Sequence, residues 1–399
     1  MYYKRTWEDT LRDLARFYPV ITLCGGRQSG KTTLLKKVFP EYTYVSLDLP
    51  SIAALAEQNP SEFFATYPTP LIVDEIQYAP GLFRHLKSVV DSQRHTMGQF
   101  ILTGSQKFSL MKEVSDSLAG RSVILDLETL SWKEIRNVIQ EKANRGIIQE
   151  LMVRGQFPEL WRVRDLPAQS FYHSYLATYL ERDVRQILNV TSLRDFERFI
   201  RVLAPRSGQL LNKSELAKDV GVSVKAINDW IGVLQASNQI VLLEPWFRNI
   251  TKRIVKTPKF YFCDSGLLCF LLGISLQNLS KSPFKGQVWE TFVFSELRKT
   301  LATFENPAQL WFYRDQQARE IDFVLEKAGT LSFLECKWTE NPGKDDIKTI
   351  INLDSELKTS STTYKPGNHY LICSTPNPYP LNDHIQILNL DSLDRATAL

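Results

Sequence analysis

The sequence predicts an α/β chain in four parts: a parallel-sheet phosphate-binding core, a helical lid or linker, a winged helix, and a C-terminal α/β domain. Three observations carry this expectation. Short apolar runs alternate with helical patterns over residues 1–130, a glycine-rich loop follows the first of those runs, and a carboxylate–lysine pattern lies on a hairpin near the end. At roughly 100–200 residues per domain, 399 residues suggest two to four domains. The expected boundaries are 1–130, 131–207, 208–262 and 283–399. A content of 43% hydrophobic and 23% charged residues excludes a mainly disordered chain.

Charge is unevenly placed. Residues 1–130 carry 14 basic and 14 acidic side chains, whereas residues 151–260 carry 17 and 10, a net of +7. With +4 over the whole chain, the remainder sums to −3, so the basic excess sits in the middle. The five cysteines are far apart and form no C-x-x-C pair, which argues for a reducing compartment rather than a disulfide framework. The start lacks the apolar core of a signal peptide, and the apolar stretch 265–280 is too short and too polar for a membrane span. A soluble, cytoplasmic protein without membrane contact is the expectation.

The core is read from five apolar runs: 19–24, 43–47, 71–73, 99–103 and 122–127. Runs of this length separated by helical segments predict buried parallel strands. After the first comes Gly25-Gly26-Arg27-Gln28-Ser29-Gly30-Lys31-Thr32, then Thr33. This fits G-x-x-x-x-G-K-[ST] in full, between a strand and a helix, as the motif requires. Glycines let backbone N–H groups close on phosphate oxygens, Lys31 reaches the β- and γ-phosphates, and the Thr32 hydroxyl takes Mg2+. The expected ligands are therefore ATP and Mg2+.

The third run ends in Asp74-Glu75. Asp74 is expected on the metal and Glu75 on the attacking water. The fourth ends in Thr103-Gly104-Ser105, at the carboxyl end of a strand where ligands gather. Thr103 or Ser105 could sense the γ-phosphate; a plain polar turn is the alternative. Arg121 could serve as an arginine finger, within the chain or from a neighbouring copy, or be a surface arginine before a strand.

Together GGRQSGKTTLL, LIVDEIQ, ILTGSQ, SLAGR and YLERDVRQI resemble the bacterial and archaeal AAA+-like ATPases, in particular those with a C-terminal domain of unknown function. The resemblance spans nearly the whole chain. It implies a five-stranded core with an extra strand between the loop strand and the Asp-Glu strand, and homo-oligomers. It also makes Arg182 a candidate lid residue near the nucleotide.

Residues 212–223 read as helix, glycine turn and new N-cap, with a second helix over 224–236 and two strand-like runs at 240–243 and 253–262. This predicts a winged helix. Its wing carries Arg248, Lys252, Arg253, Lys256 and Lys259 with no acid between them, a stripe suited to phosphates. Asp229 on the second helix favours backbone binding over base readout. Nucleic acid, DNA above all, is the expected partner, with protein contacts as the alternative.

In the last part, a helix carrying Glu290 precedes a hairpin with Asp322 on one strand and Glu335 and Lys337 on the same face of the other. Asp322 and Glu335 could hold Mg2+ or Mn2+, with Lys337 steadying the attacking water. The order Glu290, Asp322, Glu335-x-Lys337 resembles the PD-(D/E)XK nuclease fold. A working nuclease site, the same fold kept for binding, and a plain surface hairpin are all compatible with it.

Overall fold

A computed structural model describes residues 2–105, 110, 113–114, 116–179, 184, 193–246, 256–302, 308–359 and 364–397. The chain divides into two compact units. The first comprises Met1–Leu130 with Phe157–Arg162 and Ala236–Asn238; the second comprises Ser131–Gln156, Val163–Gln235 and Gln239–Leu399.

Five strands form the sheet of the first unit: β1 (Val20–Cys24), β2 (Thr43–Ser46), β3 (Leu71–Asp74), β4 (Phe100–Gly104) and β5 (Ser122–Asp126). They lie parallel in the order β2-β3-β4-β1-β5. All five expected runs are strands, and β4 inserts between β1 and β3. The three inner strands are buried along their whole length, as continuous apolar runs should be when helices cover both faces. The edge strand β5 instead alternates buried and half-buried positions. Val20, Cys24, Val73, Leu86, Phe100 and Leu102 share one core. Because the strands are parallel, the loops after β1, β3 and β4 emerge at the same sheet end.

The second unit begins with a helix, Trp132–Ile139, fixed by a reciprocal Ser131–Glu134 capping box. The helix Arg145–Arg154 stops at Gly155, whose φ of +72° and contact with Tyr172 and Asp264 leave no room for a side chain. Within the expected helical lid, Ala168–Tyr179 is a helix; Arg182 lies outside the described residues. The helices Lys213–Val220 and Val224–Ala236 meet at Gly221, φ +81°. Asn212 caps the first and Ser223 the second. Leu216, Ala217, Val220, Ile227, Ile231 and Leu234 are buried between them and their neighbours. An antiparallel hairpin follows, β6 (Ile240–Leu243) and β7 (Lys259–Phe262). Among the described residues no helix is long and apolar enough to cross a membrane; residues 265–271 form a short buried helix capped by Asp264.

The C-terminal part sets the helix Lys285–Leu301 beside a mixed sheet. Its strands are β8 (Gln309–Arg314), β9 (Glu320–Lys327), β10 (Thr330–Lys337), β11 (Lys365–Pro366), β12 (His369–Cys373), β13 (Tyr379–Pro380) and β14 (Ile385–Leu388). The order is β13-β14-β12-β10-β9-β8, with β11 beside β10. β8, β9 and β10 pair antiparallel, and β10, β12 and β14 parallel. The expected turn between β9 and β10 is made by Ala328 and Gly329, both at positive φ.

Candidate functional site

The first site forms where β1, β3 and β4 end. A Cβ on Gly25 would lie 2.3 Å from the Leu127 carbonyl oxygen, so only glycine fits there. Gly30, φ +94°, turns the loop into the helix Lys31–Val38. The Ser29 hydroxyl is buried without a hydrogen-bond partner among the described residues. Lys31 is buried, and its amine donates to the carbonyls of Gly25 (2.9 Å) and Gly26 (3.0 Å). Burial holds that amine below its ordinary pKa, while Glu75 and Asp74 act in the opposite sense. Arg27 is half-buried, and Gln28 and Thr33 are exposed.

Asp74 collects three hydroxyls. Thr32 Oγ1 and Tyr44 OH each donate to Oδ2 at 2.7 Å, and Thr103 Oγ1 donates to Oδ1. The β2–β3 register pairs Ser46 with Asp74, so Tyr44, two residues earlier on the same face, reaches along the strand to the carboxylate. Glu75 has a left-handed backbone, φ +57°. Gln77 Nε2 and Ser105 Oγ donate to its Oε2, the latter at 3.3 Å. The expected set Lys31, Thr32, Asp74, Glu75 and Thr103 is thus brought together. The cradle and the Thr32–Asp74 pair fit a nucleotide triphosphate with Mg2+: the residue 25–31 backbone and Lys31 would hold phosphates, and Thr32 and Asp74 the metal.

Four further neighbours carry no sequence signal. Arg5, buried, donates to the carbonyls of Ser29 (2.8 Å) and Glu128 (2.6 Å), tying the loop to the chain that leaves β5. A Cβ on Gly26 would sit 3.7 Å from Asn238, and one on Gly30 would sit 3.6 Å from Pro158. Tyr44 is the fourth, and only the strand register reveals it.

Arg121 requires a correction. It stands before β5, whose first residue pairs with Val20, the first residue of β1. It therefore lies at the sheet end opposite the phosphate loop, about five residues at ~3.3 Å each away. Its guanidinium grips Asp91 at 2.6 and 3.0 Å. A finger role within the chain is excluded by strand direction.

The second site lies in the other unit. One step past the registered pair Leu334–Phe323, Glu335 faces Asp322, and the Cys336 N–H donates to Asp322 Oδ2 at 2.9 Å. Lys337 Nζ donates to Glu335 Oε2 at 3.2 Å. Glu290, on the adjoining helix, accepts from Tyr261 OH at 2.6 Å. The four expected residues do converge. Burial and then Asp322 push Glu335 well above the usual carboxylate range, with Lys337 acting against them. Burial pushes Glu290 up to about 7, against the pull of Lys259.

Lys259 is the second correction. It was expected on an exposed basic wing, yet its side chain is 1% exposed. Its amine lies 2.5 Å from Glu320 Oε1, 3.4 Å from Glu290 Oε1 and 4.0 Å from Asp322 Oδ1. Burial opposes its charge, but Glu290, Asp322 and Glu320 outweigh burial and hold the amine above its ordinary pKa. A lysine opening the otherwise apolar strand KFYF was the available signal. Three carboxylates therefore surround the Lys259 ammonium while Glu335 faces that of Lys337, and this arrangement does not fit the expected Mg2+ or Mn2+ on Asp322 and Glu335. Among the described residues no group of three or more His, Cys, Asp or Glu side chains is arranged to hold a metal ion. Of the remaining wing residues, Lys256 is exposed, and Arg248, Lys252 and Arg253 lie outside the described residues.

Three family models match the chain. Residues 18–136 match the family described as AAA domain, and residues 145–278 and 285–393 match two domains of unknown function, DUF8612 and DUF4143. An uncharacterized protein of Mycobacterium tuberculosis is 32% identical over 393 residues, covering 96% of this chain and 83% of the relative. An uncharacterized protein of Methanocaldococcus jannaschii is 22% identical over 316 residues, covering 74% and 67%. Among solved structures, a Walker-type ATPase of Pyrococcus abyssi aligns with a TM-score of 0.46 at 14% identity, covering 68% of this chain and 96% of that one. In this chain the AAA domain precedes the two domains of unknown function, and the chain belongs to the bacterial and archaeal AAA+-like P-loop ATPases.

Proposed function

We propose that the protein hydrolyses ATP at the loop 25–33 and couples turnover to binding nucleic acid, DNA in particular, through the helix–turn–helix and its hairpin. The observation that carries the reading is the hydrogen-bonded chain Thr32–Asp74–Thr103 under the loop, with Glu75 beside it. Lys31 binds phosphate oxygens. Thr32 and Asp74 present oxygens to Mg2+, which when bound supplies charge against the phosphates. Thr103 and Tyr44 fix the Asp74 carboxylate. Glu75 accepts a proton from the attacking water, with Gln77 and Ser105 orienting it. Cleavage of nucleic acid is not part of this reading, because Lys259 holds the C-terminal carboxylates.

Glu75→Gln should keep nucleotide binding and stop turnover; turnover at the parental rate would remove Glu75 from this role. Coupling is tested by ATP turnover with and without linear and branched duplex DNA, and by binding as a function of salt. Changing Lys252, Arg253 and Lys256 to Glu should flatten the salt slope by about 0.9 for each phosphate no longer neutralised. A nucleotide-dependent switch that grips a protein partner is the second reading. It is favoured by Asp229, exposed on the second helix where an acid repels phosphate. Turnover and binding indifferent to DNA would turn the assignment to that switch.

A further inference from the structure

The carboxylate cluster already contains a cation, and it comes from another element of the chain. Glu290 is on the helix Lys285–Leu301, Glu320 and Asp322 on β9, and Glu335 on β10, whereas the ammonium among them belongs to β7 of the hairpin. We infer that Lys259 is the resident cation of this cluster, closing it to divalent metal and fastening the β6–β7 hairpin to the C-terminal domain.

Three observations carry the inference. The first is position. A divalent ion needs several oxygens at about 2.0–2.6 Å. Here Nζ stands against three of the four carboxylates, at 2.5 Å from Glu320, 3.4 Å from Glu290 and 4.0 Å from Asp322, and Lys337 holds the fourth, Glu335, at 3.2 Å.

The second is charge. Glu290, Glu320, Asp322 and Glu335 bring −4 when ionised. Lys259, Lys337 and Arg314, the last 2.7 Å from Glu320 Oε2, bring +3. With all four ionised the sum is −1 with Lys259 and −2 without it; protonation of Glu290 or Glu335, which burial favours, leaves still less need for a further cation beside Lys259. Adding a divalent ion beside Lys259 would overshoot to +1 in a buried place.

The third is tethering. The Lys259 backbone pairs with Leu243 on one side and bridges to Leu210 on the other. Pairing on both sides fixes the Lys259 Cα next to the cluster, so the ammonium is held within side-chain reach of these carboxylates. This inference does not depend on the ATPase reading.

The test uses the full chain without nucleotide, melted in EDTA and in millimolar Mn2+. The wild type should melt at the same temperature in both. Lys259→Met should melt lower in EDTA and regain several degrees in Mn2+, because a ligand of the folded state alone stabilises it. That gain should vanish in the double variant Lys259→Met/Asp322→Asn. A folded Lys259→Met that ignores Mn2+ overturns the inference. If Lys259→Met does not fold, electron paramagnetic resonance of Mn2+ with the wild type decides. A bound Mn2+ that Asp322→Asn removes overturns the inference, and no Asp322-dependent Mn2+ supports it.

Discussion

The two sites each place a buried lysine near buried carboxylates, and the lysines behave oppositely. Lys31 rests on two backbone carbonyls, with burial lowering its pKa. Lys259 rests among three carboxylates that raise its pKa despite burial. A buried ammonium facing neutral carbonyls is costly until an anion arrives, which suits Lys31 to the phosphate-binding role proposed for it. A buried ammonium already matched by carboxylates has no such need, which makes Lys259 a joint. The same residue type thus marks a site that awaits a ligand in one unit and a satisfied site in the other.

The largest expected effects break this comparison directly. Lys31→Ala should weaken ATP binding by about 100-fold or more, since truncating one side of a buried charge pair costs roughly 2–5 kcal/mol. It should hardly lower the melting temperature of the nucleotide-free protein, because the amine it removes is poorly matched there. Lys259→Met should do the reverse. It takes the ammonium away from Glu290 and Asp322, while Arg314 keeps Glu320, at a cost of up to about 3–5 kcal/mol in stability, and should leave ATP affinity unchanged. Isothermal titration with a nonhydrolysable ATP analogue and thermal melts read both halves. A Lys259 variant that loses nucleotide, or a Lys31 variant that loses the fold, would erase the distinction.

What could be read from the sequence divides along the same line. The phosphate loop was legible because its chemistry is local: eight consecutive residues between a strand and a helix specify the cradle. Asp74, Glu75 and Thr103 were legible as the polar ends of apolar runs, since parallel strands gather their carboxyl ends on one edge. Arg121 was left between a finger and a surface arginine because neighbouring sequence does not give strand direction, which puts residue 121 at the other edge and favours the second reading. Lys259 was misplaced because its partners lie 31 to 63 residues further along, at Glu290, Glu320 and Asp322. A basic stretch read in isolation looks solvated; only the pairing of β7 turns one of its members inward. His369 shows the same limit. Its ring accepts from the Phe333 N–H at 3.1 Å through Nδ1 and faces Asp354 at 3.1 Å through Nε2, neighbours that a scattered histidine does not announce.

A smaller effect sharpens the comparison through pH. In the folded state Glu290 is pushed up to about 7 from an ordinary value near 4.5, first by burial. The folded protein therefore binds more protons than the unfolded chain between those values, so this carboxyl's contribution is full below about 4.5 and is lost as pH rises towards 7. Melting temperatures of the wild type relative to Glu290→Gln should accordingly fall between pH 5 and 7, because glutamine cannot release the proton. The difference should be unaffected by Lys31→Ala. A wild type whose advantage grows with pH across that window would mean that Glu290 is held ionised by Lys259.

The smallest expected effects come from the tyrosine that each site sets against a carboxylate. Tyr44 OH donates to Asp74 at 2.7 Å, and Tyr261 OH donates to Glu290 at 2.6 Å. Removing either hydroxyl deletes one hydrogen bond to a charged or chargeable group, worth roughly 1.5–3 kcal/mol when the partner is ionised. Asp74 keeps Thr32 and Thr103 as donors, so Tyr44→Phe should cost little stability. Its cost should appear where Asp74 works, as a several-fold rise in the Mg2+ concentration needed for half-maximal ATP turnover, with turnover at saturating Mg2+ near normal. In the other unit Tyr261→Phe should lower the melting temperature and leave the Mg2+ requirement untouched. Phenylalanine preserves the ring and its packing in both places, so each variant isolates the hydroxyl. A Tyr44→Phe protein with an unaltered Mg2+ requirement would show that two threonines suffice to orient Asp74, leaving Tyr44 as a packing residue of the edge strand.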